Sequence, residues 1–346
     1  IMDVTTSEQA RIAEDAGAAN FIAPLAKQLA NRAIRCPVVS KGSASQIFSD
    51  HQMPYRSPRS DDSASKIIDY HNPDLLVVGT CENPNTTGLK LIDEAKLRCL
   101  PSVGVIDGPA FPAYRFRGCS EIPLHHVPDW LIVADALTAN SYNNLGFPSH
   151  RIKVSGHPHF DHVLDTAKSL YLKDRTELRK EILGNDVLPR PVVVFIAEVS
   201  DGFEKEHFKK STAYRLLGRG VSQDRTKIVL EEVLEALHQL DLNPFVVLRL
   251  APKTRVEEFL SYRKEIDLIH AKGSVIPLLF IADIVIGMTS MPLYEAAIID
   301  RPTLSVLPIL EQRHWLSSIG LGLTRLATTR REIGPKIKAA IETGPL

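Results

Sequence analysis

The stretch ADIVIGMTSMPLYEAAIIDRPTLSV, residues 282–306, joins two apolar runs through a short polar turn and a helix-period segment. Ile284 to Ile286 read as a buried strand ending at Gly287. Met288, Thr289 and Ser290 make the turn, a short helix carrying Glu295 follows, and Thr303 to Val306 form the next strand after Arg301-Pro302. Strand–turn–helix–strand units of this kind build parallel sheets covered by helices. A Ser or Thr at the helix N-cap leaves backbone N–H groups at the positive end of the helix dipole, where phosphate is attracted. Glu295 falls about 1.4 turns into the helix at ~3.6 residues per turn. Leu293, Ala296 and Ala297 supply the buried stripe, which predicts that Glu295 faces away from the core, toward a ribose diol. A plain helix cap with a solvated Glu295 fits the same spacing, because such units occur in every α/β fold.

Outward from this unit the plan repeats. Strands are predicted at 10–14, 36–40, 74–78, 102–106, 130–134 and 151–155, then at 191–197, 244–250, 266–270, 284–287 and 302–306. Helices are predicted at 18–32, 63–71, 87–98, 137–145, 166–183, 226–240, 254–262, 291–299 and 330–342. In 226–240, Val229, Val233 and Leu237 recur at i, i+4 and i+8, with Leu230 and Leu234 beside them, as one apolar stripe. The fold class is therefore α/β, with two tandem Rossmann-like, doubly wound domains, residues 1–160 and 161–346, joined near GHPHFDHVLD (156–165). Open parallel sheets bind ligands beyond the carboxyl ends of their strands, so two such domains are expected to face each other across a binding cleft.

Composition sets outer bounds. The 346 residues exceed one ordinary core, and 44% hydrophobic with 24% charged residues describes a globular chain. Forty-one basic residues balance forty-one acidic ones, which argues against nucleic acid or a membrane held by bulk charge. No apolar run approaches the ~18 residues of a membrane span. The polar opening IMDVTTSEQA has no signal-peptide core. Cys36, Cys81, Cys99 and Cys119 lack paired spacing, so reduced thiols and a cytoplasmic location are expected.

The strand-end loops carry the candidate chemistry. Glu14-Asp15-Ala16-Gly17 opens a helix on a glycine turn. It reads either as a phosphate loop lacking the full GxGxxG or as an Asp helix cap. Gly79-Thr80-Cys81-Glu82-Asn83 is polar after an apolar strand, and Asp107-Gly108-Pro109 precedes Tyr114-Arg115-Phe116-Arg117; Asp107 serves function or turn equally well. In the second half, Glu198-Val199-Ser200-Asp201-Gly202 forms a turn whose N–H groups could meet a phosphate. Lys209, Lys210, Arg215, Arg219 and Arg225 read first as a solvated basic loop. Arg249, inside an apolar strand before Leu250-Ala251-Pro252-Lys253, needs an anionic partner and is a diphosphate candidate. His157, His159 and Asp161 sit across a proline at the domain joint, more simply structural than metal-binding. Asp61-Asp62 reads as a helix start.

Four pieces together resemble the GT-B fold of nucleotide-sugar enzymes: EDAGAAN (14–20), the block 128–161, VVLRLAPK (246–253) and residues 282–306. Within that fold the chain is most similar to the branch containing UDP-N-acetylglucosamine 2-epimerases and polysaccharide-biosynthesis glycosyltransferases. The resemblance implies that the C-terminal domain holds the nucleotide diphosphate and the N-terminal domain an acceptor. It places Thr289 and Ser290 on the phosphates, Glu295 on the ribose, and Arg249 and the Ser200 turn beside the diphosphate. The catalytic base would come from Asp15, with no cofactor or metal ion required. Ala251 stands where relatives often carry His, and EDAGAAN replaces a GTRPE-like opening. The leading expectation is a glycosyltransferase using a UDP-linked donor and a small-molecule or glycan acceptor. A UDP-sugar 2-epimerase or hydrolase, with Asp15, Asp107 and Glu82 as proton carriers, and a non-catalytic nucleotide-binding relative are the alternatives. Assembly as a homodimer stays open.

Overall fold

Runs such as Val192–Ile196 have no polar side chain, so they form strands only where helices cover both faces of the sheet. In the computed structural model, which describes residues 9–13, 16–59, 62–80, 82–198, 210–251 and 254–344, this happens twice. The chain divides into two compact units, Ile1–His159 and Phe160–Leu346.

The first unit holds strands β1 Gln9–Ala13, β2 Val38–Ser40, β3 Leu75–Gly79, β4 Ser102–Ile106, β5 Trp130–Val133 and β6 Ile152–Val154. All pair in parallel, in the order β2-β1-β3-β4-β5-β6. Helices α1 Ala16–Ala30, α2 Ser43–Asp50, α3 Ala64–His71, α4 Thr87–Leu97 and α5 Ala136–Asn144 connect them. Alternate residues of β3 serve opposite faces: Leu76 and Val78 pack with Leu89 and Ile92 of α4, while Leu75 and Val77 pack with Phe21 and Ile22 of α1. Gly88 is required where α4 crosses β3, since a Cβ there would lie 2.8 Å from Val78 Cγ1.

Helix α6, Pro158–Tyr171, spans the division, and α7, Arg175–Leu183, follows it. The second unit then contains β7 Val192–Ile196, α8 Arg225–His238, β8 Phe245–Arg249, β9 Leu268–His270, α9 Ile276–Ile281, β10 Ile284–Gly287, α10 Met291–Ile298, β11 Thr303–Val306, α11 Ser317–Gly320, β12 Arg325–Ala327 and α12 Arg330–Thr343. Its parallel order is β12-β11-β10-β7-β8-β9. Val193 and Phe195 of β7 join Val229, Val233, Ile333 and Ile337 of α8 and α12. Val192, Val194 and Ile196 join Leu278, Leu279 and Leu293 of α9 and α10.

Side chains punctuate the helices. Ser63, Thr86, Asp135, Asp174 and Asp224 each accept a backbone N–H from the first turn of the helix they precede. Asp283 fastens the start of β10: it accepts from Arg179 at 2.6 Å, Arg175 at 3.1 Å and the Val192 N–H at 2.7 Å. Glu332 closes a capping box at α12, taking the N–H groups of Thr328 (2.9 Å) and Thr329 (3.0 Å).

That box carries a pH prediction. The Thr328 N–H first, with Lys336 and Thr329 adding, pulls the Glu332 carboxyl down to about 2. A depressed carboxyl stabilises the fold above its unfolded value, and the contribution disappears as pH falls through the folded one. The full shift would be worth about 3 kcal/mol, but the side chain is 38% exposed, so about 1–2 kcal/mol is expected after screening. Urea unfolding of the native chain and of Glu332→Gln should differ by that amount at pH 6 and converge between pH 4 and 2.

Several elements depart from the sequence reading. The predicted joint at 156–165 is mostly helical, because Pro158 suits a first helical turn. The helix predicted at 166–183 is broken into α6 and α7 by the Asp174 cap. The predicted helix 254–262 is a 3-10 segment, Val256–Tyr262. Four elements, α2, α9, α11 and β12, were not predicted.

Candidate functional site

In the second unit the strand order reverses between β7 and β10, since β7 leads outward to β8 and β9 while β10 leads the other way to β11 and β12. In open parallel sheets such a reversal is where a ligand crevice forms, at the carboxyl ends of the strands. Glu198 lies two residues past β7, and Thr289 two residues past β10. Glu198 accepts the Thr289 N–H at 2.5 Å through Oε1 and the Thr289 hydroxyl at 3.0 Å through Oε2. Arg225, the first residue of α8, donates to the same Oε2 at 2.7 Å.

Arg225 is fully buried. Its charge is accommodated by Glu198, by Gln312 Oε1 at 3.0 Å, by Thr289 Oγ1 at 3.4 Å and by the Trp315 ring, 5.5 Å from the guanidinium carbon. This corrects the reading of 209–227 as a solvated basic loop. Arg219 of that stretch is bidentate to Glu265 at 2.8 and 2.6 Å, whereas Arg215 is exposed. Lys210 is half-buried, and Lys209 lies outside the described residues.

The turn into α10 is built as the sequence implied in outline and differently in detail. Met288 is buried, and its carbonyl accepts the Ser305 hydroxyl. Ser290 is the N-cap residue, yet its hydroxyl makes no cap bond and has no hydrogen-bond partner among the described residues. Pro292 offers no N–H, and the Leu293 N–H returns to the Ser290 carbonyl at 3.1 Å. Glu295 was expected to face away from the core; it is instead buried, at 5% exposure, and Ala297 is the residue left half-buried.

Arg249 has the partners of a loop staple. It donates to His270 Nδ1 at 2.6 Å and to the carbonyls of Lys272 at 3.1 Å and Gly273 at 2.9 Å. Burial lowers its pKa; burial, then the Arg249 charge, lowers that of His270, which leaves the imidazole neutral and able to accept. Among the described residues the hydrogen-bond partners of Arg249 are thus His270, Lys272 and Gly273, and not Glu198 or Thr289. Ser200 and Lys253 lie outside the described residues.

In the first unit, Asp107 follows β4 and is held by Arg115 at 2.7 Å. Arg115, 7% exposed, also donates to the carbonyls of Ala110 and Thr80, tying together the loops after β3 and β4. Glu82 is half-buried beyond β3, Gly17 lies in the first turn of α1, and Asp15 falls outside the described residues. His157 stacks on Phe21 with centroids 5.0 Å apart. Among the described residues no three His, Cys, Asp or Glu side chains gather as a metal-holding group. No helix among them is long and apolar enough to cross a membrane. Cys99 and Cys119 are free thiols, and Cys36 Sγ donates to the Ile34 carbonyl at 3.4 Å.

No protein-family model matches the chain, and no curated protein matches its sequence. Solved structures do match. The Methanocaldococcus jannaschii UDP-GlcNAc 2-epimerase in complex with UDP-GlcNAc and UDP superposes with a TM-score of 0.68 at 14% identity, covering 97% of this chain and 93% of that one. The Neisseria meningitidis UDP-GlcNAc 2-epimerase bound to UDP-GlcNAc gives 0.66 at 14%, with 97% and 91% coverage. S. aureus MnaA with UDP gives 0.66 at 15%, with 97% and 88% coverage. The chain has the GT-B-like fold of these enzymes. The motif resemblance read from the sequence therefore holds at the level of fold, over nearly the whole chain.

Sequence reasoning quoted Glu198 only as part of a turn and placed Arg225 in solvent, while Gln312, Trp315 and Asp283 escaped it. An Arg at the first position of an apolar helix, beside an Asp cap, was the available signal for Arg225.

Proposed function

We propose that the chain binds a UDP-linked sugar through its second unit and converts that sugar without an acceptor, as an epimerase or hydrolase. One observation carries the reading: β7 and β10 end side by side at the reversal of strand order, with the N-terminus of α10 above them, in a fold shared with enzymes bound to UDP-GlcNAc. Thr289 and Ser290 would meet the diphosphate, and the helix dipole would offset its charge as it departs, so the reading requires no metal ion. Glu295 would accept the ribose hydroxyls. Transfer to an acceptor led the sequence analysis; likeness to 2-epimerases favours conversion of the donor alone. Glu82 and Asp15 remain the candidate proton carriers.

A second reading, nucleotide binding without turnover, is favoured by the pairing of Asp107 with Arg115, which occupies a nominated proton carrier.

The test is to incubate the chain with UDP-GlcNAc and other UDP-sugars, without acceptor, and follow the sugar by NMR. A C2 epimer or free UDP supports the first reading. Thermal stabilisation without conversion supports the second, acceptor-dependent turnover returns the transferase, and indifference to every nucleotide and nucleotide sugar defeats all three. Glu295→Gln should weaken UDP binding by about 10–100-fold, the loss of one charge-assisted hydrogen bond or more. An unchanged dissociation constant would remove Glu295 from the ribose.

A further inference from the structure

The donors best placed to receive a phosphate oxygen at the strand ends already hold an anion. The Thr289 N–H, the Thr289 hydroxyl and Arg225 Nη1 all converge on one carboxylate, that of Glu198, at 2.5, 3.0 and 2.7 Å. Glu198 is 11% exposed and Arg225 not at all, so the pair is shielded from bulk water and electrically neutral as a unit. Nothing in the main-chain geometry of β7 demands an acid there: the Glu198 carbonyl already accepts the Thr226 hydroxyl at 2.8 Å and fixes the turn on α8. A carboxylate oxygen and a phosphate oxygen make the same demands on these donors.

We propose that Glu198 is an intramolecular plug, a carboxylate that fills the anion hole made by Thr289 and Arg225 and that a ligand phosphate must displace. This rests on the reading that the second unit takes a nucleotide diphosphate. The plug costs affinity in two ways: its oxygens occupy the donors, and its charge repels an incoming anion until it swings out. It also selects, because only a ligand with further anchoring groups can offset that displacement. Inorganic phosphate alone should therefore bind the native chain poorly, and Glu198 becomes the residue that sets the threshold for the diphosphate.

Removing the carboxylate should expose the hole. In Glu198→Ala, inorganic phosphate at about ten times its dissociation constant is expected to raise Tm by about 3–5 °C, while the native chain shifts little at the same concentration. UDP affinity, measured by calorimetry, should rise by at least about tenfold in the variant. Glu198→Gln, which keeps the side chain's shape and one acceptor, should move UDP affinity in the same direction. The double variant Glu198→Ala/Arg225→Met, lacking both charges, should lose the phosphate response. Equal phosphate shifts in native and Glu198→Ala protein, or weaker UDP binding by both single variants, would overturn the proposal. So would failure of both to fold even in phosphate, since an anion in the hole would replace the missing charge. A phosphate response without UDP binding by any form leaves the plug standing and removes the UDP-sugar reading. UDP binding indifferent to Glu198 does the reverse.

Discussion

Arg225→Met is expected to cost about 3–5 kcal/mol of stability in the second unit, because it leaves the carboxylate of Glu198 desolvated with its charge uncompensated. Methionine keeps much of the stem volume against Trp315, so the loss reports charge more than cavity. The double-mutant cycle makes the argument sharper. Adding Glu198→Ala to Arg225→Met should recover about 1–3 kcal/mol of the loss, since residues sharing a hydrogen-bonded ion pair couple strongly. The chain has two tryptophans, Trp130 in β5 and Trp315 beside Arg225, so a Trp130→Phe background lets fluorescence follow the second unit during urea unfolding. A single-variant loss below about 1 kcal/mol would mean that water already compensates Glu198, as it does for exposed pairs.

What was legible beforehand follows from where periodicity carries information. β7 and β10 were readable to within a residue because strands buried on both faces leave an unbroken apolar run bounded by turns. α9 was not. Its sequence IPLLFI merges with the apolar approach to β10, and a six-residue helix has too few turns to show a period. β12, a three-residue edge strand, has half-buried residues and little pattern. For Glu295 the solvated alternative fails because it assumes a helix with one solvent face, whereas α10 packs against α9, α11, β10 and β11 and Glu295 is buried. Arg225 was misread for a different reason: its burial depends on Gln312, 87 residues away in sequence, and on Trp315. Local composition could show a run of basic residues but not which of them the fold covers. The turn after β10 was thus singled out from the sequence, while the Glu198 and Arg225 side chains that meet Thr289 there were hidden in long-range contacts.

The same distinction governs Asp107, nominated as a proton carrier and found beneath a guanidinium. Arg115 has an 8% exposed side chain and reaches the carbonyls of Ala110 and Thr80 as well as Asp107. Asp107→Ala is expected to destabilise the first unit by about 3 kcal/mol, because a buried charge loses its carboxylate. Asp107→Asn retains an oxygen acceptor and should cost about 1–2 kcal/mol. Urea unfolding followed at Trp130, in a Trp315→Phe background, measures both. Turnover of a UDP-sugar then separates two roles that a single alanine variant would confuse. If Asp107 serves by fixing Arg115 and the two strand-end loops, the Asn variant, assayed well below its unfolding temperature, should keep its rate within a few-fold. If Asp107 carries a proton, the same folded Asn variant should lose at least about 100-fold, the usual worth of a positioned acid or base. The second result would return Asp107 to the chemistry and require Arg115 to release it when substrate binds.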